Sequence, residues 1–245
     1  MFNQNDTFFI ADCHLDGSRP GLSALFTQFL DAITGAGELW ILGDFVEYWL
    51  GDDAGNNDLN PVFDALAARQ AAGMCIHLMH GNRDFLIGQD FGDRIGAAVH
   101  TDDEQLIQLG DESVLLMHGD TLCTDDTDYQ QLRRMLRSND WQQNFLSLSV
   151  DERQETAKSL RDESRTATSG KSQGIMDVNE SAVHDALTRT GVHTIIHGHT
   201  HRPNTHTKAV NGHNVTRIVV GDWHDDHAMV AHSTGTNVRL RRFPF

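Results

Sequence analysis

Seven residues of this chain carry side chains suited to divalent metal ions, and they fall in five short motifs. Asp12 and His14 follow Phe8-Phe9-Ile10-Ala11, Asp44 follows Trp40-Ile41-Leu42-Gly43, and Asn82 follows Leu78-Met79-His80-Gly81. His118 follows Val114-Leu115-Leu116-Met117, and His199 and His201 follow Ile195-Ile196-His197-Gly198. Each motif closes an apolar run that reads as a buried strand. In a parallel α/β sheet, ligands collect beyond the carboxyl ends of the strands, so chemistry is expected at these ends. Gly43 lets the backbone turn tightly before Asp44, which we take as the centre of one metal site gathered from the whole chain.

Carboxylate, amide oxygen and imidazole together suit Mn²⁺, Fe²⁺ or Zn²⁺ better than Ca²⁺, and the absence of thiolates from the set argues against a structural zinc. Seven ligands are too many for one ion of four- to six-fold coordination. They suit two ions sharing one carboxylate. Such a pair, roughly 3.5–4 Å apart, can deprotonate a water and hold both oxygens of an in-line displacement at phosphorus. Asp12-x-His14 and His199-x-His201 are each expected to place both side chains on one side of an extended chain. Satisfied polar residues at strand ends would account for one or two of these motifs but not for all seven ligands.

The elements that must position them alternate as in an α/β protein. A strand is predicted at 7–11, then a core-facing helix over 19–34, opened by Arg19-Pro20. Its apolar positions Leu22, Leu25, Phe26, Phe29, Leu30 and Ile33 recur at helical spacing. A second strand ends at Leu42, a helix covers 61–72 and a third strand 74–79. From 97 to 118 short strands with a Gly110-Asp111 hairpin turn suggest a more antiparallel middle. Between about 125 and 170 the pattern is helical with polar faces. Asp177-Val178-Asn179-Glu180 has capping-box spacing, predicting a helix from about 178 to 190. Strands are expected at 193–197, 216–220, 228–232 and 237–243.

A chain of 245 residues can form one large α/β domain or a domain with an insertion. No apolar run approaches the ~20 residues of a membrane span, and Met1-Phe2-Asn3-Gln4-Asn5-Asp6 lacks the features of a signal peptide. Cys13, Cys75 and Cys123 form no Cys-x-x-Cys pair, which fits reduced thiols in a cytoplasmic protein. Cys13 is expected to be a packed small hydrophobe turned away from the site. The formal charge of −16 argues against general nucleic-acid binding.

From Gln130 to Lys171 the balance reverses to +2, with Arg133, Arg134, Arg137, Arg153, Lys158, Arg161, Arg165 and Lys171 against six acids. A solvated helical face is one reading, and a cap offering positive charge to an anionic substrate is the other. Trp141, Phe145, Leu146 and Leu148 could serve a lipid or simply the core.

In their order, Asp12-x-His14, Gly43-Asp44, Gly81-Asn82, His118 and Gly198-His199-Thr200-His201 resemble the calcineurin-like metallophosphoesterase superfamily. The resemblance implies an α/β fold, a four-layer α-β-β-α sandwich of two mixed sheets. It also implies one metal on Asp12, His14 and His201, a second on Asn82, His118 and His199, and Asp44 bridging. Longer segments narrow the match: Gly43–Asp53, His80–Leu86, His118–Asp126, Ile175–Asn179 and the closing Phe243-Pro244-Phe245. They resemble the UDP-2,3-diacylglucosamine diphosphatase (LpxH) family of lipid A biosynthesis, across nearly the whole chain.

That family implies a single domain over 1–245 with a helical lid inserted at about 125–170 and two Mn²⁺ per chain. Its reaction is hydrolysis of UDP-2,3-diacylglucosamine at the α-phosphorus to UMP and 2,3-diacylglucosamine 1-phosphate. It also implies peripheral contact with the cytoplasmic face of the inner membrane and no obligate protein partner. Asp44, Asn82 and Arg83 would be catalytic; Asn82, Arg83, Asp126, Ser164, Thr168, Lys171 and His199 would contact substrate.

This chain departs from the superfamily at Arg83, where a histidine commonly assists the leaving group. Arginine stays cationic and forks onto phosphate oxygens, so it stabilises charge but does not shuttle protons; a salt bridge to Asp84 is the simpler alternative role. Thr168 stands where the narrower family usually has asparagine, and Cys13 where leucine is common. Two other functions are a metallophosphoesterase for a soluble nucleotide or phosphoprotein, which a short polar insertion would have favoured, and a non-catalytic scaffold, which would be expected to lack ligands.

Overall fold

The computed structural model describes residues 2–169, 177–210, 213–235 and 237–245, with the backbone alone for 164–169 and 210. Eleven strands form two sheets among these residues. The first sheet contains β1 (Thr7–Ile10), β2 (Glu38–Leu42), β3 (Cys75–Met79), β4 (Ala97–His100), β10 (Ala228–Ser233) and β11 (Val238–Phe243), in the order β11-β10-β1-β2-β3-β4. β1 to β4 run parallel, and β10 and β11 close one edge antiparallel. The second sheet contains β5 (Glu104–Leu109), β6 (Glu112–Met117), β7 (Thr194–His197), β8 (Asn204–Val210) and β9 (His213–Val219), in the order β5-β6-β7-β9-β8. Its three central strands are parallel and its two edges antiparallel.

Period-two alternation along the strands divides the core into three apolar layers. Phe9, Trp40, Leu42 and Met79 of the first sheet face Val114, Leu116, Ile196 and Ile218 of the second, closing the gap between sheets. Phe8, Ile10, Leu39, Ile41 and Leu78 point the other way, onto α1 (Pro20–Ala32), α2 (Asn60–Ala71) and α3 (Gln89–Ile95). Leu115, Met117 and Ile195 meet α7 (Glu180–Thr190) on the far side. Helix, sheet, sheet and helix form the expected four layers. The six apolar positions singled out in the first helix are all buried.

Three helices separate β6 from α7: α4 (Thr127–Leu136), α5 (Asn139–Leu146) and α6 (Val150–Ser169). Asp126 caps α4 by accepting from the Tyr129 amide at 3.1 Å, and Ser138 caps α5. Among the described residues, no helix is long and apolar enough to cross a membrane.

Local expectations fail where tertiary contacts outweigh pattern. β4 is not antiparallel but extends the parallel sheet beside β3; α3 and β8, both short or polar, carry too little periodicity to be anticipated. The helix expected from 178 begins at Glu180, because Asn179 is its cap and accepts from the amides of Ser181 and Ala182. Asp177 instead accepts from the Arg202 guanidinium at 2.6 Å.

Candidate metal centre

All seven ligand candidates converge at the carboxyl ends of β1, β2, β3, β6 and β7, one rim shared by the two sheets. The Nε2 of His14 lies 3.2 Å from His201 Nε2 and 3.6 Å from Asp44 Oδ2. His201 Nε2 is 3.9 Å from Asp12 Oδ1. On the other side, Asn82 Oδ1 stands 3.0 Å from His118 Nε2 and 2.9 Å from His199 Nδ1. Asp44 Oδ1 is 3.7 Å from His118 Nε2, so its two oxygens face the two groups. Two clusters with one carboxylate between them is the arrangement expected for a dinuclear site.

The backbone reaches this arrangement by a different route from the one anticipated. Asp12, His14, Asp44, His199 and His201 all have left-handed φ, between 45° and 69°. Asp12-x-His14 and His199-x-His201 therefore lie beyond the extended strands, and left-handed turns rather than strand alternation bring each pair together. Such a conformation costs roughly 1–3 kcal/mol per non-glycine residue and persists only where the surroundings over-determine it. Gly43, with φ of 90°, takes part in that enforcement: a Cβ there would lie 2.5 Å from the Gly81 backbone. Cys13 points into the apolar layer under α1, as expected.

A ring of hydrogen bonds sets the carriers. Asp84 is fully buried and accepts from the amides of Gly81 at 2.8 Å, Asp44 at 3.3 Å and Phe45 at 2.7 Å. Asp84 thus ties the Asp44 loop to the Asn82 loop and is not the partner of Arg83. The Arg83 amide donates to Asp44 Oδ1 at 2.8 Å. Its guanidinium is 3.8 Å from Glu47 Oε1, and its buried Nε has no hydrogen-bond partner. The His199 amide donates to Asp12 Oδ2 at 2.8 Å.

Electrostatics point to cations. Asp12 is buried and its Oδ1 has no hydrogen-bond partner. Burial, reinforced by the charge of Asp44 and opposed by His118, pushes its carboxyl up to about 7. Burial also opposes ionisation of Asp44, yet His118, His14 and Arg83 hold it below the usual carboxylate range. Burial brings His199 and His201 down to about 4, which leaves them neutral as ligands. Burial also disfavours charge on His14 and His118, yet Glu47, Asp44 and Asp12 raise His14 to about 9, and Asp44 and Asp12 raise His118. Two buried carboxylates, one with an orphaned oxygen, thus draw positive charge among four imidazoles, a donor set that fits divalent metal ions.

Beside the rim opens a groove walled by α4, α5 and α6. Glu47, Asn82 and Arg83 line its inner end, and Phe85, Leu132, Leu136, Trp141, Phe145 and Leu160 make it apolar further out. Trp141 stacks on Phe145 at 4.9 Å, whereas Leu146 is solvent-exposed. Of the basic residues in the insertion, Arg133 pairs with Asp120 and Asp103, and Arg153 with Asp53. Arg137 donates to the Gly81 carbonyl, and Arg161 lies over the Tyr48 ring. Their contacts fasten the insertion to the core, and Arg133, Arg137 and Arg161 also line the groove, so they bring positive charge to it rather than forming a solvated face. Asp126 sits at the start of α4, Ser164 and Thr168 lie on α6 with their side chains outside the description, and Lys171 lies outside the described residues.

Pattern reading missed Glu47, whose Oε2 is 2.9 Å from His14 Nδ1, and also Asp84 and Asp120. An acidic residue two or three positions after Asp44, Asn82 and His118 was the available signal.

A two-sheet sandwich with paired ligand clusters on its rim defines a dinuclear metallophosphoesterase. The chain belongs to the calcineurin-like phosphoesterase family, whose model matches residues 7–203. Within it, the chain is similar to proteins named UDP-2,3-diacylglucosamine hydrolase. That of Chromohalobacter salexigens is 42% identical over 241 residues, 98% of each chain. That of Klebsiella pneumoniae is 43% identical over 98% of this chain and 99% of its own. That of Pseudomonas putida is 46% identical over 87% of this chain and 89% of its own.

Proposed function

We propose that the protein hydrolyses UDP-2,3-diacylglucosamine to UMP and 2,3-diacylglucosamine 1-phosphate, a step of lipid A biosynthesis. The observation that carries this reading is the continuity of the metal centre with an apolar groove, joined at Asn82 and Arg83. A diphosphate needs the polar end and acyl chains need the other. The names of the relatives supply the particular substrate.

Asp12, His14 and His201 would hold one cation, Asn82, His118 and His199 the other, and Asp44 would bridge them. We assign these as two Mn²⁺, which would lower the pKa of a bound water and neutralise the phosphoryl oxygens. Asn82 and Arg83 would orient the α-phosphoryl group, and the Arg83 guanidinium would stabilise the charge that grows on its oxygens. Water oxygen bonds to the α-phosphorus, and the bond to the bridging oxygen breaks. The lipid phosphate leaves already ionised, so cationic Arg83 suffices where no proton has to be delivered.

The insertion at 125–170 would act as a lid over the acyl chains, with Asp126, Ser164, Thr168, Lys171 and His199 completing the substrate contacts. Met135, Leu146 and Val150 are exposed on its helices, which suits peripheral contact with the cytoplasmic face of the inner membrane. Hydrolysis in ¹⁸O-labelled water tests the direction of attack. Label in UMP is expected; label in the lipid phosphate would move the attack to the β-phosphorus.

A further inference from the structure

Helix α4 has no buried side chain among its ten residues. A helix of that length is marginal by itself, and most helices in proteins are held by an apolar face. Leu132 and Leu136 of α4 face the groove, so its attachment to the core is polar.

Tyr129, Gln130, Arg133 and Arg137 fall on one side of α4 and its C-terminal end, at helical spacing. The Tyr129 hydroxyl donates to Asp120 Oδ2 at 2.8 Å, and Arg133 Nε donates to the same oxygen at 2.6 Å. Gln130 Nε2 donates to the Asp120 carbonyl at 2.8 Å and to the Cys123 carbonyl at 3.2 Å. Two turns from Tyr129, Arg137 Nη2 donates to the Gly81 carbonyl at 2.9 Å. Asp120 is itself buried; although burial opposes its charge, His118, Arg133 and His199 hold it well below the carboxylate range.

These anchors share a destination. Asp120 lies two residues after His118, Gly81 immediately precedes Asn82, and the Tyr129 ring is 5.8 Å from the His199 ring. Helix α4 thus grips the carriers of Asn82 and His118 and packs by His199. Among the hydrogen bonds of the described residues, it makes none to the carriers of Asp12, His14 or His201.

We infer that α4 is a buttress for one of the two metal positions. Asp120, Arg133 and Arg137 act as positioning residues that couple docking of the helix to occupancy of the Asn82–His118–His199 position. By linkage, an ion there steadies α4, and a docked α4 tightens that ion. The inference rests on the reading of two cations on the seven ligands. Because α4 is one wall of the groove, filling this position also shapes the acyl-binding surface.

Two measurements on the full-length protein test it. Amide exchange over 127–136 is followed with and without Mn²⁺, and Mn²⁺ binding is titrated in wild type, Arg133→Gln and Arg133→Lys, with exchange in β1 to β3 verifying the fold. Slower α4 exchange on loading is expected in the wild type. In Arg133→Gln one Kd should rise about 10-fold while the other holds, in the range found for outer-shell partners of metal ligands; Arg133→Lys should recover part of the loss. Unchanged α4 exchange, both ions bound as tightly as in the wild type, or equal weakening of both would overturn the inference. A wild type that takes up fewer than two ions overturns the two-cation reading and the inference with it.

Discussion

The Nδ1 of His14 lies 2.9 Å from the Oε2 of Glu47, a residue outside every strand. The contact exists because the parallel course of β1 and β2 continues past their ends. The His14 amide donates to the Asp44 carbonyl, Leu15 pairs with Val46, and the Glu47 amide donates to the Leu15 carbonyl. Glu47 therefore stands at ion-pair distance behind the imidazole, outside hydrogen-bond geometry at Nδ1, and leaves Nε2 facing Asp44 and His201. It also stands 3.8 Å from Arg83 and so links a candidate metal ligand to the guanidinium proposed to meet the phosphate.

Replacing Glu47 by Ala should weaken metal binding about 10- to 100-fold, as loss of such carboxylate partners generally does. Glu47→Gln should retain part of the affinity through its amide oxygen. Metal titration of the purified variants reads this directly, and wild-type affinity in Glu47→Ala would remove the orienting role.

Arg83→Ala should keep both metal ions and lose rate by about 10²- to 10³-fold, the usual scale for losing a charge-stabilising donor. Asp44→Ala should lose metal and activity together. Metal content and turnover measured on the same samples separate the two roles; an Arg83→Ala enzyme of unchanged rate would refute its assignment.

Asp84→Ala leaves the buried amides of Gly81, Asp44 and Phe45 without their acceptor. At about 1 kcal/mol or more for each, the loss should reach at least about 3 kcal/mol. Thermal unfolding should shift down by about 6–12 °C for a chain of this size.

Stability should also fall in mild acid through His77 and His100. Their facing nitrogens are 3.1 Å apart, and the Trp40 ring stacks on His77 at 4.0 Å. Burial holds both imidazoles below 6.5, helped at His77 by the His100 charge and opposed by Glu38 and Asp102. With folded values depressed, their contribution is present above about pH 6.5 and is lost as the unfolded chain gains protons below it. Both rings are partly solvated, so the effect should stay under about 1 kcal/mol. His77→Asn should flatten the wild-type decline in Tm between pH 7 and 5; parallel declines would contradict this.

The strand ends and all seven ligand candidates were legible because apolar run and metal-type residue are both local features. Their convergence depends on left-handed backbone at five positions, which a pattern of side chains does not encode. Glu47, Asp84 and Asp120 stayed hidden for a related reason. Glu47 and Asp84 are acids in loops and Asp120 opens a 3₁₀ turn, and the role of each appears only when a second segment, 39 residues from Asp84 in the case of Phe45, comes within reach. The insertion was legible as helices, but the partners of its arginines were not, since an Arg on a polar helix face looks the same whether solvated or paired.

The most direct test of the account is UMP release in detergent from UDP-2,3-diacylglucosamine and from UDP-N-acetylglucosamine, each with and without Mn²⁺. The account predicts metal-dependent release from the acylated substrate alone. Release from both would keep the metal centre and discard the lipid groove, and no release from the acylated substrate with Mn²⁺ present would contradict the proposed function.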